Sequence, residues 1–491
     1  MTGGLGGQAL SPQRFKEPFS ISCVNWSRLN FAAGGIGKNM GDYPAGRARR
    51  WPGIMGVAVA ALVLLISLAA ALAPGLLPAW PLLDQDTRWA AALAIFAASY
   101  LALAIGKIPG LSIDRAGVAL VGAGLMVASG ALTLEDAYKA IDLDTITLLL
   151  GMMIVVASLR LSGFFALATA WMAAHTKRPI VLLCAVIAAS GVFSAFLVND
   201  AICLVLAPLV LELTLQMGRK PMPYLLAVAM ASNVGSTATI TGNPQNILIG
   251  SFSHIPYAHF AFVLGPVAVA GLVITAGLVA LFHRDEFAFG TRMTATARAN
   301  IRVNRMLIAR ALAATAVMVA LFFVGQPPAK VAIIIGGLLL LTRRVKSKRI
   351  YSEIDWSLLL MFAGLFIIVA GAQRALLTPA VVAQVSHLHL YRIPVLSAVT
   401  AVLSNLVSNV PAVLVMKPFV VALPDHARAW LTIAMASTLA GNFTILGSIA
   451  NLIVVQKAAA RGVVISFWDY FRVGAPLTLM TLVMGTLWLW R

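Results

Sequence analysis

The stretch SNVGSTATITGNPQNILIG (232–250) decides how this chain folds. It follows the apolar run YLLAVAMA and leads into another, so asparagines, glycines and a proline stand inside a segment otherwise suited to crossing a bilayer. Proline costs ~3 kcal/mol in a helix interior, and each backbone group left unpaired in hydrocarbon costs several more. Such a break makes sense only where the freed groups face a cavity, an ion or a substrate.

The surrounding composition fixes the solvent. The chain has 491 residues, of which 60% are hydrophobic and 11% charged, against roughly 25% charged in a soluble domain. Its apolar runs repeatedly reach the ~20 residues that span a membrane, so the fold class is an all-α polytopic membrane protein. A net charge of +19 would suit nucleic acid only if the basic residues shared one folded face. Here they sit in short loops between apolar runs. Cys23, Cys184 and Cys203 have neither disulfide-framework nor metal-ligand spacing.

Residues 1–50 are polar and glycine-rich and carry no signal-peptide h-region. They read as a disordered cytoplasmic tail, or as sequence upstream of a true start at Met40 or Met55. About eleven crossings are expected, near 52–73, 87–106, 116–131, 146–162, 223–250, 258–282, 306–324, 329–342, 355–373, 430–457 and 468–490. Two further apolar stretches, 179–215 and 393–422, turn at the polar tips VNDA and SNVP without a hydrophilic loop. Re-entrant hairpins fit them, with two short helices joined by a tight turn as the alternative. The organisation is thus a first transmembrane helix in 51–84, repeat 1 in 85–282, a basic cytoplasmic linker in 283–305 and repeat 2 in 306–491.

Positive charge sets orientation. With the amino terminus inside, cytoplasmic segments hold 26 of the 36 Lys and Arg, and the opposite loops hold 7. A bacterial inner membrane with a cytoplasmic amino terminus is the expected location.

Three pairs of segments align in the same order. IDLDTITLLLGMMIVVA (141–157) matches IDWSLLLMFAGLFIIVA (354–370), and VFSAFLVNDAICLVLAPLV (192–210) matches VLSNLVSNVPAVLVMKPFV (402–420). The opening stretch lies in the third pair, 227–249 on 432–454, which matches Thr239 with Thr444, Gly242 with Gly447 and Asn246 with Asn451. Each copy has an odd number of crossings, so the repeats have inverted topology. Interrupted helices at corresponding places point to a midplane site in a secondary transporter.

Unwound carbonyls can replace a sodium ion's hydration shell, and half-helix N-termini can hold an anion. Asn199, Asn243, Asn246, Asn409 and Asn451 offer donors and acceptors at the tips and breaks; interhelical bonding is the alternative for any one of them. Asp200, at a tip, is either a proton or cation site or a structural cap. Lys417 could fix a positive charge, although snorkelling from near the end of its arm suits it better. Asp142 and Asp355 match across the repeats as helix-start acids.

The VNDA tip, the TGNPQN break and the later GNFTILGSIANLIV resemble the ion transporter superfamily. Within it they are most similar to the citrate-transporter-like permeases, grouped with arsenite pumps, sodium/proton antiporters and sodium/dicarboxylate symporters. The resemblance covers roughly 85–490. It implies that two hairpins and two broken helices form the site, with coupling ions between each tip and the adjacent break. Carried over, Asn199 and Asp200 with Gly242 to Asn246 form one half, with Thr239 nearby. Ser408 and Asn409 with Gly447 to Asn451 form the other, with Thr444 nearby. The dicarboxylate symporters carry Ser-Asn-Thr at both tips, whereas these read Val-Asn-Asp and Ser-Asn-Val.

Other classes fit poorly. GGIGKN (34–39) lacks the spacing and the Ser/Thr of a P-loop, and there is neither an HExxH nor a recognisable catalytic pairing. The expected function is secondary transport of a small anion, a carboxylate such as citrate or an oxyanion, by alternating access. Arsenite efflux and sodium/proton exchange are the alternatives, and a channel is the other class. No cofactor is expected beyond a sodium ion. The expected partners are the anion, a coupling proton or sodium, the bilayer and a second copy in a homodimer, with no nucleic acid.

Overall fold

The computed structural model describes residues 85–105, 113–287, 304–341, 345–376, 388–421 and 423–491. The tail, the span expected at 52–73 and linker residues 288–303 lie outside the described residues. Every regular element among those described is helical. The stretch 85–282 contains α1 (Gln85–Ile105), α2 (Arg115–Ala128), α3 (Leu134–Ala140), α4 (Leu143–Ser162), α5 (Phe164–His175), α6 (Pro179–Phe196), α7 (Asn199–Gln216), α8 (Pro221–Ser236), α9 (Pro244–Ser253) and α10 (Tyr257–Phe282), and the short α11 (Arg284–Phe287) opens the linker. Repeat 2 contains α12 (Arg305–Phe323), α13 (Pro328–Leu340), α14 (Ser347–Tyr351), α15 (Trp356–Leu376), α16 (Ile393–Val407), α17 (Asn409–Val420), α18 (His426–Ala440), α19 (Ile449–Ala459) and α20 (Phe467–Trp490). Seven of the described helices are long and apolar enough to cross a membrane, and several shorter apolar helices accompany them.

The helices expected within the described residues are found within a few residues of their expected bounds. Sequence reading passed over α3, α5, α11 and α14. The short α3 carried a start signal, since the Thr133 hydroxyl accepts from the Asp136 N–H (3.1 Å) and acids fill the first turn. Asp142 and Asp355 start α4 and α15, accepting from the N–H groups of Thr145 (2.8 Å) and Leu358 (3.0 Å).

Helices from the two repeats cross at small residues. A Cβ added at Gly151 of α4 would lie 2.5 Å from the Ala332 carbonyl carbon of α13, and one at Gly364 of α15 would lie 2.6 Å from that of Ala119 of α2. Gly364 and Ala332 follow Gly151 and Ala119 by the same shift that aligns 141–157 on 354–370. In lipid, where apolar burial drives association weakly, such close backbone approach supplies the packing. It also makes a matched frame around the middle of the protein.

Inside that frame stand the two hairpins. The 18-residue arms α6 and α7 are about 27 Å long each, close to the ~30 Å hydrocarbon thickness. Length alone therefore does not make this hairpin re-entrant. Its tip is nevertheless buried in protein: Leu197, Val198 and Asn199 are 2–3% exposed, and the Asn199 carbonyl accepts from Ser232 Oγ (3.3 Å) in the last turns of α8.

Both broken helices share one backbone path. After α8, Thr239 is extended (φ −139°), a 3-10 turn covers Ile240–Gly242, Asn243 is extended again (φ −156°), and α9 begins at Pro244. After α18 the same order runs through Thr444 (φ −135°), Ile445–Gly447 and Ser448 (φ −146°) to α19. Pro244 therefore starts a helix rather than interrupting one, and at this first position its missing N–H costs nothing. Gly242 is required by proximity, because a Cβ there would lie 2.1 Å from the Ser236 carbonyl oxygen.

Candidate transport site

Breaking α8 from α9 frees carbonyls that hydrocarbon cannot solvate. Asn246 pairs two of them, its Nδ2 donating to the carbonyls of Ser236 (3.1 Å) and Thr239 (3.0 Å). Asn451 does the same in the second break, donating to Gly441 (2.7 Å) and Thr444 (3.2 Å). Each asparagine thus replaces the backbone donor that its own break removed.

The two breaks are also bonded to each other through a buried hub. Asn233 Oδ1 accepts from Asn199 Nδ2 of the first tip (3.0 Å) and from Ser448 Oγ of the second break (3.1 Å). Its Nδ2 donates to Oδ1 of Asn442 (2.9 Å) and of Asn451 (3.0 Å). Thr438, its partner in the repeat alignment, has the reciprocal role, accepting from Asn243 and Gln245 (3.2 Å each) and donating to Asn246 Oδ1 (3.4 Å).

Next to this hub lies a cavity. Asn199 and Asp200 of one tip, Ser408 and Asn409 of the other, Pro244 and Gln245 after the first break, and Ser448 and Ile449 after the second all line it. These are the opening residues of α7, α17, α9 and α19 or their caps, so four helix N-termini converge here. Each carries the equivalent of roughly half a positive charge. Arg115, the first residue of α2, adds a full one, while Leu103 and the α15 residues Leu358, Met361 and Leu365 form an apolar wall. The space open to the centre of a water molecule is about 40 Å3. At roughly 10–15 Å3 per water, that is room for about three.

Several groups in the cavity are left for a ligand. Asn199 Oδ1 is buried without a partner, and its orientation is set because its Nδ2 serves the Asn233 oxygen. Ser408 is held at φ 80°, ψ 160°, a region nearly confined to glycine that costs about 1–3 kcal/mol and recurs at ligand sites. Asn409, oriented so that both amide ends are satisfied, donates to the carbonyls of Ser437 and Gly447 (3.2 Å each) and accepts from Gln245 Nε2 (3.3 Å). Asp200 lines the cavity together with Arg115, and the charges of Arg115 and Asp355 act on its carboxylate.

Asn199, Asp200, Ser408 and Asn409 are thus brought together as expected from sequence. Thr239, Gly242, Asn243, Asn246, Thr444, Gly447 and Asn451 stand behind the cavity instead, with the amide donors of the three asparagines directed into the protein itself. Thr239 Oγ1, for example, donates to the Ala195 carbonyl of the hairpin. Lys417 is elsewhere, its ammonium 3.7 Å from the Phe252 ring centroid in a cation–π contact. Gln245 and Ser448, inside the two breaks, do line the cavity, whereas sequence reading missed Asn233, Thr438 and Arg115. Asn233 and Thr438 occupy one column of the repeat alignment, a signal that was there to read. Arg115 was counted among the loop charges.

A family model described as a citrate transporter matches residues 100–440, well over half of the chain. The chain belongs to the citrate transporter family. It is therefore a multi-pass membrane transporter and not an enzyme. Among its relatives, the family member is 28% identical over 429 residues to a 46 kDa membrane protein of Mycobacterium leprae, covering 81% of this chain and 97% of that one. It is 30% identical over 450 residues to the silicon efflux transporter LSI3 of Oryza sativa subsp. japonica, covering 77% and 93%. The putative transporter arsB of Dictyostelium discoideum is 24% identical, covering 76% and 87%. In fold it is similar to the crystal structure of the Alcanivorax borkumensis YdaH transporter, with a TM-score of 0.51 at 16% identity, covering 81% of this chain and 97% of that one.

Proposed function

We propose that this family member is a secondary transporter of a small oxyacid or short carboxylate, moved by alternating access and coupled to the proton gradient through Asp200. The observation that carries this reading is the convergence of four helix N-termini on one narrow cavity, a ready-made anion site with one carboxylate inside it. A space for about three waters suits a phosphate-, arsenite- or silicate-sized solute better than citrate in this conformation. Relatives described as a silicon efflux transporter and a putative arsB transporter point the same way.

Two features bear on the mechanism. A second hollow of about 470 Å3 lies against the first break, lined among others by Thr145, Leu148, Tyr257 and Lys330. Thr145 and Leu148 of α4 align on Leu358 and Met361 of α15, which line the narrow cavity. One hollow wide and its counterpart narrow is the asymmetry that alternating access requires. The carbonyls freed at the breaks are bonded by Asn246 and Asn451, so a sodium ion seated on them would have to displace those amides. This favours a proton at Asp200.

Vesicles loaded with the purified full chain test the reading. An imposed pH gradient is expected to drive uphill uptake of phosphate, arsenite, silicic acid or citrate, and a sodium gradient is not. Accumulation driven by sodium alone, or flux that never runs uphill, would reject it.

Inverted repeats in a bacterial inner membrane, with the amino terminus in the cytoplasm, belong to the same proposal. In a background without the native cysteines, Ser347→Cys should react with an impermeant maleimide only from the cytoplasmic side, and Ala427→Cys only from outside. Labelling of both from one side would reject the inverted arrangement.

A further inference from the structure

We propose that Arg115 is the residue that holds the substrate's anionic oxygen, and that Asp200 takes the substrate's place on that charge when the site empties, so that one proton crosses with each anion. This rests on the oxyacid-transporter reading above and names the charge state of its substrate and the way it is coupled.

Arg115 is the only cationic side chain among the described residues that line the cavity. It makes no hydrogen bond and no ion pair among the described residues, and its electrostatic partner is Asp200. A half-buried guanidinium with five unused donors in a fixed fork is suited to a planar oxyanion. Asn199 lines the same cavity and its buried Oδ1 has no partner, so a ligand that reaches it presents it with an O–H. The ligand class follows as an oxyacid with one oxygen deprotonated and at least one hydroxyl retained, such as dihydrogen phosphate or a partly protonated carboxylic acid.

Charge balance then couples the proton. Asp200 shares the cavity with Arg115 of α2, and the other charge acting on it is that of Asp355 at the start of α15. Asp114, next to Arg115, is turned to capping α2 through the Gly117 N–H (2.8 Å). An uncompensated charge in a desolvated site is costly, so the occluded states that form readily are those in which Arg115 is matched once. Empty, the match is the Asp200 carboxylate. Loaded, it is the anion, and Asp200 must then be neutral and carry the proton. Arg115 with neither partner, or with both, leaves a net charge in the site. The two permitted states differ by one anion and one proton, taken up and released together. Repeat 2 offers no second copy of this pair, because Val410 aligns with Asp200 and Pro328 stands where the frame's repeat shift carries Arg115.

The test uses the purified full chain and thermal-shift titrations with inorganic phosphate, citrate, arsenite and silicic acid at pH 6 and pH 8. Arsenite and silicic acid are neutral at both values. Wild type is expected to bind phosphate or citrate more tightly at the lower pH, by up to about tenfold per unit. Arg115→Gln should weaken that anion by about 10- to 100-fold, with Arg115→Lys between the two. Asp200→Asn should bind the same anion with only the pH dependence of the ligand's own ionisation left, and this arm stands even if Arg115→Gln fails to fold. Unchanged anion affinity in Arg115→Gln, or a pH dependence in Asp200→Asn as steep as that of wild type, would overturn the inference. Binding of only the neutral acids would overturn it while leaving the transporter reading standing, whereas binding of none of the four would take both down.

Discussion

Replacing Asn233 by leucine is expected to leave no stably folded transporter. The substitution removes both ends of an amide that is 1% exposed and makes four hydrogen bonds. Asn199 Nδ2 and Ser448 Oγ lose their acceptor, and the side-chain oxygens of Asn442 and Asn451 lose a donor. A stranded buried polar group costs about 1–3 kcal/mol, so four amount to about 4–12 kcal/mol. Total stability is typically about 5–15 kcal/mol. Bonds between helices in a bilayer are worth less on average, because the separated helices find other partners, yet even the lower figure is a large share of the total. Asn246→Leu strands two carbonyls and should be milder. The measurement is the yield of monodisperse protein in detergent, followed by the melting temperature of whatever survives. Wild-type melting in Asn233→Leu would show that the hub is not what joins the two breaks.

Asp200→Asn is expected to abolish uphill transport while leaving exchange intact. The change keeps the shape of the side chain and removes its titration. With one proton per anion, each unit of pH gradient supplies about 1.36 kcal/mol, so two units support roughly hundredfold accumulation in wild type. In the variant, the empty site holds the Arg115 charge without a match and cannot occlude, while the loaded site is neutral. Preloaded vesicles should therefore exchange labelled for unlabelled substrate but accumulate none above equilibrium. A carboxylate that only caps α7 behaves differently, because asparagine caps a helix about as well as aspartate. Accumulation undiminished in Asp200→Asn would reject the coupling role and leave the cavity's geometry as it is.

Much of this was legible before any coordinates. Apolar run length marked the crossings because a bilayer demands about 20 residues whatever the neighbouring helices do. The paired tips and breaks were legible because a helix interruption in hydrocarbon is too costly to be incidental, and its appearance twice in one order identified a repeat. Asp142 and Asp355 were read as helix starters because capping is local, decided within three residues.

What each polar residue at the breaks does was not local. Asn246 and Asn451 carry the same signature in sequence as a ligand-binding asparagine, and only the folded chain shows their amide hydrogens directed to the carbonyls of their own breaks. Arg115 looked like one more basic residue beside a loop, because its distance from Asp200 depends on how α2 packs against α15 and α1.

By itself, the sequence determined that this is an all-helical membrane protein with two matching interrupted halves, since hydrophobic length and the cost of unpaired backbone are properties of the chain in its solvent. Only the tertiary structure decided which polar groups are spent on the protein and which are left over for a ligand. A hydrogen-bonding group has a fixed capacity, and whether that capacity is already filled depends on partners up to two hundred residues away, as Asn233 and Asn451 show.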